Sequence, residues 1–208
     1  MITALQHRSP DQVKADIQEF PEKYVRDWET WLVTSQENRP TVFIRTLGKW
    51  QAIRGRGPLR RLAPIALHAP PYMDDLLQSA NSHIQALQHS TMACFEMPPA
   101  TERAALVGLW SVFLRLPQEK FASCVGISKA VMLLSDGRIG PAFDSTVKKK
   151  LGIPPPSSPD EWIRALSDVS SDIRAFEAKH GVTLRDVAPE RFKHLAYGRL
   201  YDMAFGPR

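Results

Sequence analysis

Residues 121–152 read FASCVGISKAVMLLSDGRIGPAFDSTVKKKLG. The first part, SCVGISKA, has the pattern of a helix end, a tight turn at Gly126 and a new helix whose first N–H groups point outward. Free N–H groups at a helix start form an anion site that needs no side chain. AVMLL then carries the second helix into a core, and GRIGPAF supplies the turn that ends it. Asp144 stands directly before STVKKKLG, where its carboxylate caps the next helix.

Working outward, the signals on both sides are helical. Ser9-Pro10-Asp11 is a cap, a proline and an acid at the first turn, and predicts a short helix to about Phe20. Pro21 opens a second helix with Tyr24, Trp28, Trp31 and Leu32 along one stripe. Between Pro40 and Pro71 the periodicity fails, and TVFIRTL predicts a short extended piece near 41–47. Helices follow over Tyr72–Gln88, with Leu76, Ala80, Ile84 and Leu87 on one side, and from Thr101 to Pro117. Prolines 154, 155, 156 and 159 make a stiff connector over 153–159. Ser158-Pro159-Asp160-Glu161 starts a helix that Gly181 ends, and a last helix is expected from about Pro189 to Met203. The expectation is a mainly α, compact multi-helix domain over residues 1–208, with the C-terminal helices in 160–208.

Composition narrows the chemistry. At 208 residues and 43% hydrophobic, the chain can bury a core without disulfides. Its two cysteines, Cys94 and Cys124, form no CxxC pair, and its six histidines show no paired metal spacing, so neither metal nor cofactor is expected. There is no P-loop, no GxGxxG and no GxSxG elbow. No apolar run suits a signal peptide or membrane span, which predicts a cytoplasmic protein with no membrane partner. The net charge of +5 favours an anionic partner. No Asp or Glu occurs from Asn38 to Met73, where Arg39, Arg45, Lys49, Arg54, Arg56, Arg60 and Arg61 fall. That strip suits contact with a phosphate backbone, and it equally suits a solvated loop paired with acidic helices.

The stretch 121–152 resembles the helix-hairpin-helix DNA glycosylase superfamily, whose signature is a PGVGxKTA-type hairpin, an apolar helix, a Gly/Pro loop and an aspartate in a DTHV-like sequence. Val125-Gly126 and Ala130 match the hairpin, Gly137 and Pro141 the loop, and Asp144-Ser145-Thr146-Val147 the aspartate motif. Lys148, Lys149, Lys150, Leu151 and Gly152 resemble its basic continuation. The resemblance implies a partner, duplex DNA, and for an active member hydrolysis of the N-glycosidic bonds of damaged bases. Asp144 would be the catalytic carboxylate, with Val125, Gly126, Ser128, Lys129, Lys148 and Lys149 at phosphates and Arg54, Arg56, Arg60 and Arg61 extending the DNA contact. Cys124 stands where the family has its first hairpin glycine, and the family's lysine position falls on Ser128 with Lys129 one residue later, which argues against Schiff-base chemistry. The family's iron–sulfur cysteines are absent. The rival expectation is a non-catalytic helical protein that reuses the fold for interaction or nucleic-acid binding.

Overall fold

Ser9 starts the first helix, α1 (Pro10–Gln18), through a reciprocal box: its hydroxyl accepts from Gln12 N at 3.2 Å while the Gln12 side chain accepts from Ser9 N at 2.9 Å. Val13 and Ile17, four residues apart, bury its inner face. In the computed structural model, residues 1–53, 70–95, 98–116 and 122–208 are described. Helix α2 (Glu22–Leu32) buries Val25, Trp28 and Trp31, whereas Leu32, expected on the same stripe, is 37% exposed.

The expected extended piece at 41–47 is a helix instead. Residues Arg39–Lys49 form α3, with Pro40 in its first turn and Phe43, Thr46 and Leu47 buried at three- and four-residue spacing. Local β propensity in TVFIRTL yields to this face, because packing outweighs a preference worth less than about 1 kcal/mol per residue. Among the described residues there is no strand.

Helices α4 (Pro70–Ala86) and α5 (Ala100–Phe113) pack on each other, and α5 packs on α6 (Cys124–Leu134) and α8 (Pro159–His180). Helix α6 is buried on most of its circumference, from Cys124 through Leu133. A short helix, α7 (Ser145–Leu151), follows it and ends on Gly152 in the left-handed region. Ser158 caps α8 through Glu161 N at 3.2 Å, and Gly181 ends it at φ +67°, as the sequence indicates. The expected single helix from Pro189 to Met203 is divided into a 3-10 turn (Glu190–Phe192) and α10 (Tyr197–Phe205), and a short helix, α9 (Leu184–Val187), precedes both. One continuous hydrophobic core joins all of these elements.

The two ends of the chain are joined through α8. Buried Asp172 accepts from Leu5 N (2.8 Å), Gln6 N (3.1 Å) and the Tyr201 hydroxyl (2.7 Å). Arg8 donates to the Ala204 carbonyl at 3.1 Å and lies over the Phe205 ring, so α1 seats directly on α10. No described helix is long and apolar enough to cross a membrane.

Candidate functional site

The segment between α6 and α7 is held on both sides. Gly137, at φ +76°, accepts from Arg199 N at 3.0 Å through its carbonyl. A Cβ on Gly198 would fall 2.6 Å from that carbonyl oxygen and 2.7 Å from Gly140 N, so backbone lies directly on backbone there. On the other side the Ser128 hydroxyl accepts from Phe143 N at 3.0 Å, and Ser135 accepts from Ile139 N at 3.1 Å. Asp202 of α10 accepts from Ala142 N at 3.0 Å. These bonds fix the backbone immediately before Asp144.

Asp144 is the N-cap of α7, and both of its hydrogen bonds, from Thr146 N (2.8 Å) and Val147 N (2.9 Å), go to Oδ1. Neither of these two bonds uses Oδ2. Asp144 lines a cavity of about 40 Å³ whose other polar walls are Lys129, Arg199 and Asp202, with Tyr24, Trp50 and Met132 among the apolar ones. Lys129 donates to the Trp50 carbonyl at 2.6 Å.

Behind the cavity sits a buried ion pair. Arg199, 2% exposed, donates from Nη1 to Asp202 at 2.7 Å and from Nη2 to the Tyr24 carbonyl at 3.3 Å, while its Nε has no partner among the described residues. Its guanidinium lies 4.6 Å from the Trp28 ring and 4.8 Å from Phe20. Trp28 and Trp50 stack 4° from parallel, and the Trp50 indole N–H donates to Asp27, which also accepts from Lys49. Burial lowers the proton affinity of Arg199, and Asp202 opposes that change. Burial pushes Asp202 up to about 6 against the pull of Arg199, with Asp144 raising it and Lys129 lowering it. Of this coupled pair the Asp202 direction carries the chemistry, since a guanidinium keeps its proton in proteins.

Further lysines stand beside the cavity walls. Lys23 lies 4.8 Å from the Tyr24 ring, and Lys150 donates to the Gly206 carbonyl, one residue before the wall residue Pro207.

The residues expected from sequence divide into groups. Lys129 and Asp144 share the cavity. Val125 and Lys148 line a different opening of about 470 Å³ at the start of α6, together with Cys124 and Pro156. Gly126 is not the tight turn expected of it: Ser123 is the N-cap, and Gly126 lies buried in the first turn of α6. Ser128 is 2% exposed, and its hydroxyl serves Phe143 N, so no surface remains there for a phosphate. Lys149 is exposed on α7. Arg54, Arg56, Arg60 and Arg61 lie outside the described residues. Of the rest of the basic strip, Arg45 is exposed, Arg39 lies over Trp31, Lys49 pairs with Asp27 and Trp50 is core. Burial raises the Cys124 thiol to about 12, which leaves it inert.

Sequence reasoning missed Trp50 as a wall of the site, and it missed Asp202 altogether. The signal available for Asp202 was an Arg and an Asp three residues apart inside the apolar run YGRLYDMAF, a pattern that suits a buried pair on one helix face. Compared with protein-family models, curated proteins and solved structures, the chain matches none, so the site rests on its own geometry.

Proposed function

We propose that this chain is a DNA-binding protein of the helix-hairpin-helix glycosylase type that cleaves N-glycosidic bonds in duplex DNA. The observation that carries this reading is the shared cavity: Asp144 and Lys129, on separate helical elements, line one recess, and the hydrogen bonds that cap α7 use only one carboxylate oxygen of Asp144. A carboxylate so held stabilises the positive charge that develops on the sugar as the bond to the base breaks. Lys129, Lys23 and Lys150 about the cavity supply charge for the flanking phosphates. The target base stays at the mouth, since a recess of about 40 Å³ takes roughly one or two waters.

A second reading, a non-catalytic nucleic-acid-binding or interaction protein, is favoured by one fact: two cap bonds account for Asp144 without any chemistry. One experiment addresses both. Binding to duplex DNA is measured across a salt series, and base release is followed on a panel of damaged duplexes. Tight binding with a steep salt slope and base release support the proposal; binding without release selects the second reading; no binding at low salt ends the nucleic-acid assignment.

A further inference from the structure

Asp202 is a second carboxyl on the wall of the same cavity, 5% exposed, with Oδ1 accepting from Ala142 N and Oδ2 from Arg199 Nη1. Three other charged groups line the recess with it: Asp144 from the cap of α7, Lys129 from α6 and Arg199 from its own helix. Asp27 of α2 acts on Arg199 from behind. The volume, about 40 Å³, suits roughly one or two waters, each of which needs two to four polar partners. Arg199 Nε is a buried donor without one among the described residues, on a side chain that lines this recess.

We propose that Asp202 is a working carboxyl of this site, which exchanges a proton with Asp144 through water held in the cavity between them. The inference rests on the reading of the cavity as the hydrolytic centre. As the bond from the sugar carbon to the base nitrogen breaks, its electron pair leaves with the base. A water oxygen forms the new bond to that carbon, and the proton it loses passes to Asp144 and on through the cavity water to Asp202. The departing base takes a proton from solvent, and Asp202 later returns its own to solvent, so charge and atoms balance. A buried carboxylate whose proton affinity is raised to about 6 is mostly ionised near pH 7, ready to accept, and lies close enough to neutrality to release again.

The test is a carboxyl-carbon NMR titration of the full chain labelled at aspartate, without DNA, for wild type, Asp144→Asn and Asp202→Asn. The expected result is one resonance with a midpoint near pH 6, absent in Asp202→Asn, that moves to lower pH in Asp144→Asn because a neighbouring negative charge is gone. A midpoint unchanged in Asp144→Asn overturns the proton link. Should Asp202→Asn leave Arg199 unpaired and fail to fold, the double variant Asp202→Asn with Arg199→Gln removes both charges and makes the same assignment. Single-turnover base release against pH is the second arm: the inflection near pH 6 disappears in the Asp202 variant. Persistence of that inflection also overturns the inference. A coupled titration in a protein that releases no base keeps the proton link and removes the hydrolytic reading, so the two failures are distinguishable.

Discussion

Replacing Asp144 by Asn and by Ala separates capping from chemistry. Both N–H donors of the α7 cap converge on Oδ1, and the amide oxygen of Asn can occupy that position. Asn caps about as well as Asp, so Asp144→Asn loses only the charge at the helix start, about 0.3–1 kcal/mol. Asp144→Ala loses the acceptor itself and costs about 1 kcal/mol, at most about 2, which in a chain of this size lowers the Tm by roughly 2–4 °C per kcal/mol. Stability alone therefore ranks wild type, Asn and Ala in a shallow descending series. The proposed chemistry ranks them differently: if Asp144 acts on the sugar, Asn removes its charge, and base release should fall at least ~100-fold in both variants. On the same proposal duplex affinity should hold or rise, because the variant removes a negative charge beside the proposed phosphate contacts. Calorimetric melting, a binding isotherm and single-turnover release on the three proteins give the whole comparison. An Asn variant that melts within a degree or two of wild type and releases base at the wild-type rate would falsify the catalytic assignment and leave Asp144 as a cap.

Gly198→Ala sets two effects of opposite sign against each other. Helix propensity favours Ala by about 1 kcal/mol, but its Cβ would lie 2.6 Å from the Gly137 carbonyl and 2.7 Å from Gly140 N, and backbone contacts this close cost about 1–3 kcal/mol or more. Chemical denaturation should show net destabilisation, and a stabilised variant would disprove the backbone seat. Ser128→Ala leaves Phe143 N buried without its acceptor and should cost about 1–3 kcal/mol while leaving the salt slope of DNA binding unchanged; a change in that slope would return Ser128 to the phosphate contacts. Asp202, raised from 3.8 to about 6, binds its proton more tightly in the folded chain than in the unfolded one. Its contribution to stability is therefore full below pH 4 and is lost between pH 4 and 6, about 3 kcal/mol in all. Denaturant midpoints of wild type against the double variant Asp202→Asn with Arg199→Gln should converge or cross over that window, and a pH-independent difference would refute the shift.

Local signals sufficed where a helix is decided by its own ends. Ser9, Ser158 and Gly181 act as caps where the sequence places them, and Asp144 before STV is the cap of α7. They failed where packing decides. TVFIRTL has strand-like residues but a helical face, and only the presence of Trp31 and Phe113 around Phe43 makes that face count. The cavity was less legible still. Lys129 and Asp144 were within reach of a spacing argument, but Tyr24, Trp50, Arg199 and Asp202 come from segments that meet only in three dimensions. The turn expected at Gly126 shows the converse error, since Gly126 lies buried inside the first turn of α6 and the chain does not reverse there.

The stitching of Leu5, Gln6 and Arg8 to Asp172 and Ala204 bears on synthesis. These residues are made 166 to 196 positions before their native acceptors, so α1 emerges without the helix it seats on. Until residue 204 is free of the exit tunnel, Val13 and Ile17 face solvent or a chaperone. Closure of this core therefore waits on the synthesis of α10, and expression yield should depend on holding the nascent α1 soluble during that wait.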